Sequence, residues 1–315
     1  MAFETLLGNE RLKQNLSESL AKNHIAHFYL ISGPEGSGRH TLARLLTAAI
    51  LCREKRRPCL SCTPCRKVME GNHPDFITVE DPEHKNVAVR IVREIRDDVF
   101  IRPNESDYKV YLFPQELGIE GQNALLKILE EPPKHGVFIL LTDNPDKLLP
   151  TVRSRCTELK MQALSPEVMQ RQLRQDFPQA QQEDLLAAAI RSGGFLGQAR
   201  QLLKSGDQIP EQTVAFADSF ARKDALLLTQ TLVPMEKWKR DALAQILTDW
   251  MAILEEALAN RSGIQAVSPL ARQLSRARTA SELRQGLLTL KKAAEYTRSN
   301  VSPAAVCGWL LWELR

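Results

Sequence analysis

Long apolar runs are missing from this chain of 315 residues. No stretch approaches the roughly 18 uninterrupted apolar residues of a membrane span, so a spanning helix is excluded. An excess of one charge is missing as well. The 42 Lys and Arg residues against 38 Asp and Glu leave +4, and residues 1–206 and 207–315 carry +2 each. So even a split argues against a basic nucleic-acid-binding tail. The opening Met-Ala-Phe-Glu-Thr-Leu-Leu has no basic segment and places Glu4 early, so a secretory leader is not expected. Repeats and low-complexity segments are absent. What remains is ordinary for a globular protein, 43% hydrophobic and 25% charged. At roughly 150 residues per domain the length suggests two domains or three. A cytoplasmic, multidomain protein is expected.

The six cysteines are unevenly spread: Cys52, Cys59, Cys62 and Cys65 crowd together while Cys156 and Cys307 stand alone. In a reducing compartment such a cluster reads as metal-binding or catalytic, not as disulfides. The Cys-x2-Cys-x2-Cys run, with a fourth Cys seven residues upstream, can supply four thiolates to one tetrahedral zinc. Pro58 and Pro64 suit the turns that would converge them. The basic residues Arg53, Lys55, Arg56, Arg57, Arg66 and Lys67 would offset the negative charge of the centre. No His joins the cluster to leave an open position, which favours a structural site. A thiol redox relay is the competing reading.

Strand and helix signals alternate over the first 165 residues. Phe28–Ser32, Lys109–Phe113, Val137–Thr142 and Cys156–Met161 read as strands; 41–52 and 123–129 read as helices. Alternation of this kind implies a parallel sheet covered on both faces. Beyond Ser165 the patterns are helical, with breaks near Ser192-Gly193-Gly194, Ser205-Gly206, Pro234 and Ser262-Gly263. The expected fold is α/β followed by all-α, with an α/β domain at 1–165, a small helical domain at 166–206 and a larger one at 207–315.

Between the first strand and its helix runs Gly33-Pro34-Glu35-Gly36-Ser37-Gly38-Arg39-His40-Thr41. Glycines there let backbone N–H groups point at phosphate oxygens, and the helix N-terminus adds its dipole. Gly33 and Gly38 nearly meet the G-x-x-x-x-G-K-[ST] pattern, but Arg39 occupies the Lys position and His40 that of the Mg²⁺-binding hydroxyl, with Thr41 one residue late. After the second strand come Pro114 and Gln115, where phosphoryl transfer needs an acid to organise Mg²⁺ and water; Glu116 is displaced by one. Three defects in one site argue against hydrolysis. Weak binding of ATP or ADP stays open.

The order of phosphate loop, inserted four-Cys module, His73-Pro74-Asp75, Lys109-Val110-Tyr111-Leu112, Asn123-Ala124-Leu125-Leu126-Lys127-Ile128-Leu129-Glu130-Glu131-Pro132-Pro133 and Ser154-Arg155-Cys156 resembles the bacterial clamp-loader subunits of DNA polymerase III. The match covers roughly residues 5–165. The end, Asn300-Val301-Ser302-Pro303, is similar to the opening of the family's last collar helix. The resemblance implies an AAA+ P-loop-type α/β domain, a helical lid and a helical collar for oligomerisation. It also implies Zn²⁺ on Cys52, Cys59, Cys62 and Cys65, although seven residues from Cys52 to Cys59 is a short step for the family. Within the family, the tau/gamma branch keeps an intact ATP site and the delta-prime branch an eroded one. Arg39, His40, Pro114 and Gln115 are similar to the latter. So is Gly194-Phe195-Leu196-Gly197-Gln198-Ala199, which has no sensor Arg near Gly197.

The delta-prime resemblance implies a degenerate nucleotide site at Gly33, Gly36, Gly38, Arg39, His40 and Thr41. It further implies that Arg155, flanked by Ser154 and Cys156, reaches the γ-phosphate held by a neighbouring subunit. The chain would have no activity alone, yet be a component of the DNA polymerase III holoenzyme. Implied partners are tau/gamma and delta, with the sliding clamp and primed DNA met through the complex. An active tau/gamma-like ATPase and a zinc-stabilised DNA-binding module are the alternatives.

Smaller features read as structural. Arg90, Arg93 and Arg96 form a solvated helix face, Trp238 is core or interface, Cys156 is a small buried hydrophobe, and His73 holds the turn after the cysteine module. Val306, Trp309, Leu310, Leu311, Trp312 and Leu314 cover more than one stripe of the last helix, which therefore wants neighbours. The Asn300-Val301-Ser302 sequon has no meaning in a cytoplasmic chain.

Overall fold

The computed structural model describes residues 3–204, 210–263, 266, 268–299 and 301–314. Ser205-Gly206 and Asn300 lie outside the described residues. The chain divides into two compact units, residues 1–172 with 194–198, and residues 173–193 with 199–315.

In the first unit the elements run α1 (Glu10–Ala21), β1 (Phe28–Ser32), α2 (Arg39–Leu51), α3 (Thr63–Glu70), β2 (Phe76–Thr78), α4 (Val89–Asp98), β3 (Lys109–Phe113), α5 (Ile119–Glu130), β4 (Gly136–Thr142), α6 (Pro150–Arg153) and β5 (Thr157–Lys160). All strand pairs are parallel and the order is β2-β3-β4-β1-β5. β1, β3 and β4 are buried along their whole length, as a sheet covered on both faces requires.

Their residues alternate between two cores. Tyr29, Ile31, Val110, Leu112, Ile139 and Leu141 pack under α1, α2 and α3. Phe28, Leu30, Tyr111, Phe113, Phe138 and Leu140 pack under α4, α5 and α6. On that second face Phe138 stacks on Phe28 at 4.6 Å and on Tyr111 at 5.1 Å between ring centroids.

The four expected strands are present, with β5 trimmed to Thr157–Lys160; the two expected helices begin earlier, at Arg39 and Ile119. β2 was not foreseen. With three residues it is too short to show a period.

His73-Pro74-Asp75 acts as a clamp ahead of β2. Asp75 is fully buried and its carboxylate accepts from the backbone N–H groups of Asn104, Glu105 and Ser106, while its own N–H donates to His73 Nδ1 at 3.1 Å. Glu105 then pairs with Lys67 of α3 at 2.7 Å and its carbonyl accepts from Arg53. One buried carboxylate thus fastens the cysteine module and the loop before β3 together. On the exposed side of α4, Arg90 pairs with Glu94 and Arg96 with Asp97.

The remaining elements are all helical: α7 (Pro166–Asp176), α8 (Gln182–Arg191), α9 (Leu196–Lys204), α10 (Glu211–Arg222), α11 (Ala225–Met235), α12 (Arg240–Arg261), α13 (Pro269–Ala277), α14 (Ala280–Arg298) and α15 (Pro303–Glu313). The expected breaks fall at Ser192 after α8 and Ser262 after α12, and Pro234 lies one residue before the end of α11. In the second unit Phe216 stacks on fully buried Trp250 at 4.1 Å. Trp238 packs partly buried against the same core. A capping box of Thr279 and Glu282 starts α14. On α15, Val306, Cys307 and Leu310 are buried while Trp312 is 74% exposed.

Burial would raise the Asp75 carboxyl, but the Asn104, Glu105 and Ser106 amides hold it below its ordinary value. Its contribution is therefore complete above about pH 4 and lost as the pH falls through the depressed native value. Asp75→Ala strands those buried donors and should cost about 2–4 kcal/mol by denaturant titration at pH 7. That deficit should narrow below about pH 4, where protonation removes the same interaction from the native chain.

Candidate functional site

The four cysteines converge. Cys52 follows α2, Cys62 caps α3, Cys65 lies within α3 and Cys59 sits on the turn between. Their sulfurs all lie within 4.8 Å of one another, with Cys52–Cys62 and Cys59–Cys65 both at 3.9 Å. Zinc–thiolate bonds of about 2.3 Å at tetrahedral angles require sulfurs roughly 3.8 Å apart, so the residues fit one zinc ion. The short step from Cys52 is spanned without displacing it. At Cys59 burial opposes ionisation, yet hydrogen bonds from the Ser61 hydroxyl and from the Cys62 and Ser61 backbone bring the thiol to about 6. Burial pushes Cys52 and Cys65 upward. A resident zinc would tie α2 to α3 as a closed, structural centre.

Gly33 to Gly38 form the loop between β1 and α2. Gly36 (φ 75°) and Gly38 (φ 94°) are left-handed, so here glycine is required, and Gly38 caps α2 without any side chain. Residues 194–198 close on this loop: the Gly197 N–H donates to the Gly36 carbonyl at 2.9 Å. A Cβ on Gly197 would stand 2.5 Å from Gly36 Cα, so the two glycines permit a backbone-to-backbone contact. Arg39 opens α2; burial lowers the affinity of its guanidinium for the proton, and the charges of Asp143, Glu35 and Glu116 oppose that. His40 and Thr41 follow on the exposed side of α2.

The residues after β3 and β4 fill the adjoining space. Gln115, at the position expected to carry an acid, donates to the Asp81 and His84 carbonyls at 3.0 and 3.1 Å and accepts from the Asp81 N–H. Glu116 accepts from Lys147 Nζ at 2.6 Å, and Asp143 from the same ammonium at 2.8 Å. Sequence reasoning missed Asp143 and Lys147. The i,i+4 acid–base spacing just after a strand was the available signal.

Arg155 lies at the other end of the sheet, in the turn between α6 and β5. Its guanidinium donates to the Thr151 carbonyl at 2.9 Å and to Glu130 of α5 at 3.2 Å, with the side chain 39% exposed. Ser154 Oγ donates to the Thr151 carbonyl at 3.3 Å. Cys156 packs partly buried against the second core, and burial raises its thiol to about 12, the behaviour of a small hydrophobe. In the β1–β5 register Tyr29 pairs with Thr157 and Ser32 with Lys160, so Arg155 falls level with residue 27. The phosphate loop begins six residues further along, roughly 20 Å away at 3.3 Å per residue.

A fully parallel sheet whose first strand runs into a glycine-rich phosphate-type loop, followed by a four-cysteine centre, defines a phosphate-loop α/β protein. The family model described as DNA polymerase III, delta subunit, matches residues 8–165, half of the chain, and the chain belongs to that family, among the clamp-loader proteins of DNA polymerase III. It is 29% identical to the DNA polymerase III subunit gamma of Buchnera aphidicola subsp. Schizaphis graminum, over 82% of this chain and 75% of that protein. With the tau subunit of Escherichia coli (strain K12) it shares 32% identity over 85% of this chain and 45% of that one. With the tau subunit of Bacillus subtilis (strain 168) it shares 32% over 72% and 40%. The chain thus spans three quarters of the first relative's length and less than half of the other two.

Among solved structures it is similar to a gamma subunit-related protein of Thermotoga maritima (TM-score 0.38, 17% identity, 96% of this chain and 98% of that one). It is also similar to the RuvB Holliday junction branch migration motor of Thermotoga maritima (TM-score 0.43, 14% identity, 90% and 89%). Among the described residues no helix is long and apolar enough to cross a membrane.

Metal analysis of the native protein should find about one zinc per chain. Cys62→Ser should lose it and lower the melting temperature by roughly 2–4 °C per kcal/mol of stability removed.

Proposed function

We propose that this chain is a delta-prime-like subunit of a bacterial DNA polymerase III clamp loader, a non-hydrolysing member of the ring. In this reading it presents Arg155 to ATP held by a neighbouring tau/gamma subunit, with delta as the other partner, while the sliding clamp is opened and placed on primed DNA in the cytoplasm. Residues 1–165 serve as the AAA+-like domain stapled by zinc on the four cysteines, 166–206 as the lid, and 207–315 as the collar, where exposed Trp312 offers apolar surface to a neighbour.

The observation that carries this reading is the position of Arg155 on the sheet. It stands at the N-terminal end of β5, whereas its own phosphate loop leaves the C-terminal end of β1. An arginine whose backbone lies roughly 20 Å along the sheet from its own loop serves a nucleotide only if another chain supplies that nucleotide. Leaving Glu130 costs little, because an exposed ion pair is worth about 0–1 kcal/mol. At a partner's γ-phosphate the same group would stabilise transition-state charge, an effect on the order of 10³–10⁵ in rate. Arg39, His40, Pro114 and Gln115 support the absence of hydrolysis by this chain itself.

The gamma and tau names of the relatives favour a second reading, an active ATPase subunit. The two separate in one assay. In a ring reconstituted with tau/gamma and delta, Arg155→Ala should abolish most clamp- and DNA-stimulated turnover at the site it serves while leaving assembly intact. The isolated chain should turn over no ATP. Unchanged turnover in the variant ring would remove the arginine-finger role, and turnover by the chain alone would establish the active ATPase.

A further inference from the structure

A phosphate-loop fold implies a divalent ion bound with its nucleotide, and the residues around this loop do not fit one. Such an ion takes oxygen ligands at about 2.0–2.1 Å, usually one or two carboxylates with waters and phosphate oxygens. The hydroxyl expected on the loop is replaced by His40, and Gln115 is spent on the Asp81 and His84 carbonyls. Glu35 of the loop is exposed, and the carboxylates that follow the neighbouring strands, Glu116 after β3 and Asp143 after β4, both bind the ammonium of Lys147, at 2.6 and 2.8 Å.

These groups sit beside the loop. β4 lies between β3 and β1 in the sheet, and the Gly33 N–H donates to the Thr142 carbonyl at 3.1 Å, one residue before Asp143. We propose that Lys147 is a resident cation in the place of the divalent ion, so that this phosphate loop takes neither Mg²⁺ nor a magnesium nucleotide. The inference rests on reading residues 33–41 as an eroded phosphate loop, and it names what closed the site.

The lysine is held there by more than its own flexible side chain. It ends a single 3-10 turn, Pro145–Lys147, whose start is fixed by the Asn144 side chain accepting from the Asp146 N–H at 2.9 Å. Buried Gln122 of α5 donates to the Lys147 carbonyl at 3.2 Å and accepts from the Leu149 N–H, so the backbone on both sides of Leu148 is anchored to a helix. An incoming divalent ion would have to expel Lys147 or meet its charge within a few ångströms.

Manganese paramagnetic resonance on the purified, zinc-loaded chain tests this, with circular dichroism as the check on folding. Wild type should show no saturable Mn²⁺ binding that depends on Asp143. Lys147→Met should gain one Mn²⁺ per chain, tighter than wild type by about tenfold or more, as removal of the competing charge requires. Adding Asp143→Asn to that variant should abolish the gain, and Lys147→Arg, which keeps the charge, should behave as wild type. An Asp143-dependent Mn²⁺ site in wild type overturns the proposal, as does a folded Lys147→Met chain that binds none. Should Lys147→Met not fold, Lys147→Gln takes its place, and the wild-type arm decides regardless. Failure here with Arg155→Ala still lowering ring turnover would leave the clamp-loader role standing and remove only the resident cation.

Discussion

Every strand of the sheet runs in the same direction, and that constraint distributes the chemistry of the first unit. Loops leaving the C-terminal strand ends collect on one side: the phosphate loop after β1, Gln115 and Glu116 after β3, Asp143 and Lys147 after β4. Whatever precedes a strand collects on the other, which is where Arg155 stands with Glu130 at the end of α5. The separation of the two sites follows from backbone direction and the 3.3 Å rise per residue, before any side chain is considered. It holds as long as the two cores clamp the sheet, and both are continuous from β3 through β4 to β1.

Around that frame, polar groups that could have done chemistry are used as fasteners. Asp75 gathers three amides of the 104–106 loop, Gln115 ties down the 81–84 loop, and Lys147 joins the ends of β3 and β4. A metal or water at these groups would have to replace the hydrogen bonds and ion pairs they make within the protein. The loop at residues 33–38 takes its shape from its glycines, and the polar residues after β3 and β4 are tied into hydrogen bonds and ion pairs beside it. Opposite it, the Arg155 pair with Glu130 is exposed and cheap to break.

Much of this was legible in the chain. Buried strands in a parallel sheet are unbroken apolar runs, so Phe28–Ser32, Lys109–Phe113 and Val137–Thr142 announced themselves. The four cysteines had a spacing that favoured a common ligand over a redox relay, and the structure brings their sulfurs together. The loop was readable because positive φ requires glycine at Gly36 and Gly38. β2 escaped because three residues carry no period. Lys147 escaped for a different reason: its partners are Asp143, four residues away, and Glu116, thirty-one residues away in the loop after β3. Gly197 could be read as the lack of a sensor Arg, but its contact with Gly36 is a long-range fact that only the folded backbone supplies.

Which end of the sheet meets nucleotide is the question on which the account turns. Photoaffinity labelling of the reconstituted ring with an ATP analogue reactive at its γ-phosphate, followed by peptide mapping of this chain, answers it directly. The account predicts label on the Thr151–Cys156 segment that carries Arg155, and none on the loop at residues 33–41. Label concentrated on residues 33–41 would contradict it and return this chain to the role of an ATP-binding subunit.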